Sequence, residues 1–152
     1  MLRKLKQLGA IILAATGLVW TAGVAADPGT MTVYKTASCG CCRGWVDHMR
    51  ANGFDVTTRD VQSSELSRIK SRYRIPASAH SCHTAIVGGY VVEGHVPARI
   101  VARLLNEGPA VIGISAPGMP AASPGMDIPD GGPYDVVTFD AVGGIRQYER
   151  VE

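Results

Sequence analysis

Apolar and polar positions follow two periods along the chain, one typical of strands and one typical of helices. The pattern predicts strands at residues 31–36, 54–58, 84–87 and 90–93, and helices at residues 42–52, 63–74 and 97–108. In the first helix Trp45 and Met49 lie one turn apart on one face, and in the third helix Ile100 and Leu104 do the same. These helices therefore each have an apolar face that can be buried against a sheet.

Residues with restricted backbone preferences mark the ends of the predicted helices. Asn52-Gly53 predicts a left-handed stop after the first helix, and Ser63 or Ser64 predicts the cap of the second. Pro97 suits the first turn of the third helix. The order β-α-β-α-β-β-α is that of a thioredoxin-like domain, an α/β fold in which helices flank a mixed sheet. This topology predicts that the start of the third strand lies beside the loop after the first.

The composition changes after Gly108 and becomes rich in proline and glycine. Residues 31–108 are therefore the predicted core of the domain, and residues 109–152 are an extension. Residues 136–148 predict a β-hairpin around Gly143-Gly144 that closes this extension.

The extension also contains two Pro-Gly-Met units within residues 116–126. Proline and glycine at this spacing are typical of an irregular linker. Two further interpretations stay open for Met119 and Met126. They pack on the domain as gap fillers, or they belong to a lid whose thioether sulfurs bind a soft metal ion.

The first 26 residues have the parts of a secretory signal peptide. Three basic residues are followed by an uncharged, mostly apolar run and then by small residues up to Ala26. We therefore expect export to the periplasm, cleavage near Ala26 and a mature domain at residues 27–152. An uncleaved N-terminal anchor is the alternative, since no charge interrupts the apolar run.

The charge of the chain changes sign when this segment is removed. The full chain has a formal charge of +2, and residues 1–26 hold three of its 15 basic residues and none of its 13 acidic ones. The remaining chain has a formal charge of −1. This near-neutral balance gives no electrostatic reason to expect a nucleic-acid partner, and we expect no membrane contact after cleavage.

Three of the four cysteines crowd into Cys39-Gly40-Cys41-Cys42, where the first strand leads into the first helix. Three neighbouring thiols cannot all pair with one partner, so a structural disulfide framework explains them poorly. A helix N-terminus lowers the pKa of nearby thiols, which favours both a soft-metal ligand and a redox nucleophile. The topology predicts that the fourth thiol, Cys82, faces this loop.

The four thiols are consistent with more than one chemistry. Cys39 and Cys42 stand in Cys-x-x-Cys register, which in a thioredoxin-like setting indicates a dithiol redox couple. Four converging thiolates favour Cu(I), whereas zinc sites with four cysteines normally use two separated pairs. A purely structural arrangement, with disulfides that include Cys82, is the third alternative.

The histidines have competing interpretations. His83 follows Cys82 directly and is the candidate metal ligand, while His80 is either a ligand or a polar residue at a strand end. His48 is interpreted as a surface residue of the first helix. We expect His95 to help cap the third helix.

Four motifs combine these residues: Cys39-Gly-Cys-Cys with Trp45, Ser81-Cys82-His83-Thr84-Ala85, Val92-Glu93-Gly94-His95-Val96-Pro97-Ala98, and the paired Pro-Gly-Met units. Together they resemble the CopG-type periplasmic copper-resistance proteins, which are small, exported and thioredoxin-like. The resemblance covers about residues 33–148. It implies a role in copper handling, with the four cysteines as the matching thiols.

The functional hypothesis is therefore an exported copper-binding protein of copper resistance and homeostasis. We expect it to bind Cu(I), and more than one ion, since four thiolates exceed what one ion uses when other ligands join. The candidate ligands are Cys39, Cys41, Cys42, Cys82, Met119, Met126 and His83. The expected partners are copper ions and other periplasmic copper-handling proteins. The alternative is a thiol–disulfide oxidoreductase or copper redox protein using Cys39 and Cys42, although a binding role is favoured over an enzymatic one.

Overall fold

The computed structural model describes residues 29–152, so the predicted signal peptide and its cleavage site lie outside the described residues. The strands are β1 (Thr30–Lys35), β2 (Asp55–Asp60), β3 (Thr84–Val87), β4 (Tyr90–Glu93), β5 (Gly113–Ser115), β6 (Tyr134–Phe139) and β7 (Ile145–Val151). The helices are α1 (Gly40–Ala51), α2 (Ser63–Arg72) and α3 (Ala98–Glu107), with a 3-10 turn at Ala77–Ala79. The predicted order of elements is confirmed.

All seven strands form one mixed sheet in the order β2-β1-β3-β4-β5-β6-β7. β1 pairs in parallel with β2 and antiparallel with β3, which places the start of β3 beside the loop that follows β1. The predicted hairpin of the extension is β6 and β7, and it joins the sheet through β5. The thioredoxin-like α/β fold is thus observed, with an enlarged sheet.

The two faces of the sheet bury separate hydrophobic clusters. The larger cluster contains the apolar faces of α1 and α3, including Trp45, Met49 and Ile100. The smaller cluster lies on the opposite face and includes Val91 and Phe139. Trp45 is fully buried, and its indole Nε1 donates to Val96 O at 2.8 Å. This bond satisfies the buried N–H and ties α1 to the segment before α3.

Two local details differ from the predictions, and the glycines at two helix ends agree with them. β5 was not predicted, since three residues are too short for a periodic signal. Gln62, not Ser63 or Ser64, is the N-cap of α2, and its side chain makes no capping bond. Gly53 and Gly108 take the left-handed conformation expected at the ends of α1 and α3.

No helix within residues 29–152 is both long and apolar enough to cross a membrane.

Candidate metal centre

The cysteine loop joins the end of β1 to the first turn of α1. A turn in which Cys39 N donates to Thr36 O, at 3.1 Å, leads the chain into the helix. α1 begins at Gly40, two residues before its predicted start, so Cys41 and Cys42 lie in its first turn. Cys39 is the N-cap, and its Sγ accepts a bond from Cys42 N at 3.3 Å. The loop cysteines therefore lie at the positive end of the helix dipole.

Cys39 and Cys42 are joined by a disulfide, whereas Cys41 and Cys82 are free thiols. The disulfide joins the two cysteines in Cys-x-x-Cys register, which are the candidate redox couple of the alternative hypothesis. The alternative in which Cys82 belongs to a structural disulfide is wrong.

Cys82 lies just before β3 and reaches the cysteine loop. Its Sγ is 3.5 Å from Cys42 Sγ, while Cys41 Sγ is 3.6 Å from Cys39 Sγ. All four Sγ atoms lie within 4.8 Å of one another. The topological prediction for Cys82 is confirmed, because β1 and β3 are neighbours in the sheet.

The surroundings of Cys82 favour the protonated thiol when no metal is present. Burial, followed in size by charge repulsion from the nearby Cys41, raises the pKa of Cys82 to about 12. A metal ion that binds Cys82 must therefore displace a proton, so affinity for a metal rises with pH.

Two imidazoles extend the group of donors around Cys82. His95 Nε2 lies 2.9 Å from Cys82 Sγ, and His83 Nδ1 lies 3.4 Å from it. His95 Nδ1 is 2.7 Å from Pro124 O, which can only accept a hydrogen bond. Nδ1 therefore carries the proton, and Nε2 directs its lone pair toward Cys82. A backbone carbonyl that orients an imidazole in this way is typical of metal-binding histidines.

His83 is fully buried between aromatic rings. Its ring centroid is 4.4 Å from that of Trp45 and 5.0 Å from that of His95. Burial lowers the pKa of His83 well below its usual value, and the electrostatic influence of the neighbouring His95 and Lys70 lowers it further. The imidazole is therefore neutral, the form that binds metals. Its Nε2 is buried without a hydrogen-bond partner among the described residues.

Two histidines have roles in the structure that differ from those expected. His95 does not cap α3, because its ring faces Cys82. Instead His48 Nε2 accepts a hydrogen bond from Ala98 N, at 3.1 Å, and so caps α3. His80 contacts Ile75 O and none of the thiols. Sequence reasoning missed His95, although its place two residues after β4, the neighbour of β3, is a signal that could have found it.

The loop between β5 and β6 is attached at two points to the segments that carry the candidate metal ligands. Gly118 N donates to His80 O at 2.9 Å, and Gly118 O accepts a bond from the Ser81 hydroxyl beside Cys82. Further along, Pro124 O holds His95. The Pro-Gly-Met units therefore lie against the centre, unlike those of a free linker.

Close contact between backbones explains the glycine in the second unit. Gly125 has a φ of +86°, and a Cβ there would lie 2.5 Å from both Cys41 O and Trp45 N. On the opposite side, a Cβ on Gly44 would lie 2.9 Å from Gly125 Cα. Two glycines thus let the loop touch the first turns of α1 directly. Met126 follows this contact and is half-buried, whereas Met119 follows Gly118 and is 55% exposed.

The donors that the structure brings together are soft or borderline. They form two groups that share Cys82: the four cysteines, and Cys82 with His83 and His95. Neither group contains a carboxylate, which is the donor that Mg²⁺ and Ca²⁺ prefer. Thiolate and imidazole are the donors that copper prefers, so these residues fit a copper ion.

Comparison with known proteins gives two kinds of match. The family described as "Protein of unknown function, DUF411" matches residues 79–126. Two solved structures, named "Copper resistance protein copG- Form 1" and "Copper resistance protein copG- Form 2", are each 39% identical to the chain with a TM-score of 0.75. The first match covers 82% of this chain and 98% of the other, and the second covers 83% and 100%. A comparison with curated proteins gives no significant match.

Proposed function

Because the chain belongs to the family of the copper resistance protein CopG, we propose that it is a periplasmic copper-resistance protein that binds Cu(I) through its cysteines. The observation that carries this proposal is the convergence of four Sγ atoms within 4.8 Å. Cu(I) is the soft first-row ion that favours thiolate and thioether ligands. The proposed partners are copper ions and other copper-handling proteins of the periplasm.

The number of sulfur donors supports binding of more than one Cu(I). One Cu(I) ion uses two to four ligands, and the centre offers four cysteines with two imidazoles beside them. Thiolates that bridge neighbouring ions use this excess of donors without an unpaired buried charge. His83 and His95 then complete the coordination around Cys82.

Anaerobic titration of the reduced protein without residues 1–26 tests this function. We expect saturation above one Cu(I) per chain by metal analysis, with all four thiols protected from alkylation. Saturation at a single Cu(I) with four thiols still reactive would contradict the proposal. A parallel titration with Zn(II) is the control for metal preference.

The loop methionines are proposed as further copper ligands that act from a lid. The attachments at Gly118 and Gly125 bring the residue before each methionine against the centre. Thioether sulfur binds Cu(I) without losing a proton, so such ligands work at any pH.

Replacing both Met119 and Met126 by leucine keeps the apolar volume but removes the sulfur. We expect an unchanged melting temperature and release of Cu(I) to a chelator that is about tenfold faster. Met49→Leu, in the buried face of α1, is the matched control and should not change the release rate. If release from the double variant is unchanged, the methionines serve only for packing.

A second candidate function is favoured by the Cys39–Cys42 disulfide. Reduced Cys39 and Cys42 can give two electrons to two Cu(II) ions, which yields two Cu(I), one disulfide and two protons. The same pair could instead exchange with the disulfide of another protein. Of these two reactions we retain copper reduction as the second candidate function, because it uses the ion that the centre is proposed to bind.

A further inference from the structure

A buried ion pair lies beneath the metal centre and has no part in the proposed coordination. Lys70 of α2 and Glu93 at the end of β4 are 6% and 0% exposed, and Lys70 Nζ donates to Glu93 Oε1. Lys70 Nζ also lies 3.1 Å from Thr84 Oγ1. The Thr84 hydroxyl donates to Glu93 Oε2 at 2.7 Å.

The Glu93 carboxylate has a further partner on the cysteine segment. Ser81 N donates to Glu93 Oε1 at 2.6 Å. Ser81 directly precedes Cys82, and Glu93 lies two residues before His95. The carboxylate therefore joins the two segments that place Cys82 Sγ 2.9 Å from His95 Nε2.

Glu93 and Ser81 also hold the loop of the extension in place. The backbone of Glu93 accepts a bond from Ala116 N at 3.1 Å, and Ser81 forms an isolated bridge with Gly118. Glu93 thus links three segments near the thiols. Its carboxylate binds the Ser81 segment, its backbone binds the extension, and its own strand leads to His95.

Stability alone does not account for this arrangement. Replacing a buried ion pair by apolar residues of similar volume is often neutral or stabilising, because desolvation of the charges offsets their attraction. What an apolar pair cannot supply is an acceptor for Ser81 N. We propose that Glu93, charge-balanced by Lys70, is a positioning residue of the copper centre that sets the alignment of Cys82 with His95. This inference rests on the proposed function.

Two double variants isolate the acceptor from the charge. Lys70→Met with Glu93→Gln removes both charges but keeps a carbonyl oxygen for Ser81 N, whereas Lys70→Met with Glu93→Leu removes the acceptor as well. We expect the leucine variant to release Cu(I) to a chelator at least about tenfold faster than the glutamine variant. Arg103→Met with Glu149→Gln removes an ion pair between α3 and β7 and should leave release unchanged.

A metal-free measurement keeps this test separate from the proposed function. In the reduced protein, we expect faster alkylation of Cys82 and a changed ¹⁵N shift of His95 Nε2 in the leucine variant only. If the unaltered protein binds no Cu(I), the proposed function fails, while these two signals still report on positioning. Equal Cys82 alkylation and equal His95 shifts in the two double variants would overturn the inference.

Hydrogen exchange of the unaltered protein provides a second measurement should the leucine variant not fold. The Ser81 amide should exchange as slowly as the core amides of β4, because its acceptor is buried. Exchange as fast as that of an exposed loop amide would overturn the role assigned to Glu93.

Discussion

Replacing Cys82 by serine should lower the affinity for Cu(I) by at least about 100-fold. Loss of a residue that only orients a ligand lowers metal affinity by about 10- to 100-fold, and loss of the ligand itself should have a larger effect. Cys82 belongs to both donor groups, so its loss affects the sulfur cluster and the imidazole group together. A hydroxyl is a hard donor that stays protonated and does not replace a thiolate. The effect should be at least as large as that of Cys39→Ser, because Cys39 belongs to the cysteine group alone. Competition with a Cu(I) chelator measures both.

The control for this variant is His80→Gln. His80 lies two residues from Cys82, yet its imidazole contacts Ile75 O and none of the thiols. Copper affinity should therefore stay the same. If Cys82→Ser keeps its fold by circular dichroism and binds Cu(I) like the unaltered protein, Cys82 is not a ligand.

The pH dependence of binding gives a second readout for Cys82. Its pKa is raised to about 12, so the free thiol keeps its proton at neutral pH and must lose it when a metal binds. Affinity should fall as the pH is lowered, and Cys82→Ser should reduce this dependence by about one proton.

The order of elements and the place of Cys82 could be predicted from the sequence because both follow from local periodicity and chain order. Apolar spacing identifies α1 and α3, and the thioredoxin-like order then makes β1 and β3 neighbours. The start of β3 must meet the loop after β1 in this topology. Cys82 was placed by that reasoning alone.

Chain order places His95 near the start of β3, but it does not give the direction of the imidazole, so the role of His95 could be predicted only in part. Gly94, with a φ of +72°, turns the chain after β4, so strand alternation gives no direction for the next side chain. The imidazole is then oriented by Pro124 O, which lies 29 residues further along in a segment without periodicity. Contacts of this kind depend on the path of an irregular loop. The capping role of His48 was missed for a similar reason, since its partner is 50 residues away.

The contact between Gly44 and Gly125 could not be predicted from the sequence either. Either glycine is consistent with a turn or with flexible chain. Only the path of the loop shows that a side chain at either position would separate the extension from α1. The extension therefore packs directly against α1 beside the candidate metal centre, although its composition alone is typical of a linker.

Reducing the Cys39–Cys42 disulfide should increase the number of Cu(I) ions that the protein holds. The oxidised protein has only Cys41 and Cys82 as thiols, since sulfur in a disulfide cannot become a thiolate ligand. We expect at most one Cu(I) in the oxidised protein and more than one in the reduced protein. Anaerobic titrations with and without prior reduction, followed by metal analysis, provide the measurement. Equal stoichiometry in the two states would contradict the prediction.

The matched control for this experiment is Cys39→Ser with Cys42→Ser. This variant cannot form the disulfide, so its copper content should be low and should not respond to a reductant. Adding Cu(II) without oxygen to the reduced, unaltered protein separates the two candidate functions. Formation of two Cu(I) for each Cys39–Cys42 disulfide would establish copper reduction, because the electrons then balance with no other donor. If Cu(II) is not reduced while added Cu(I) is still bound, the centre binds copper without reducing it.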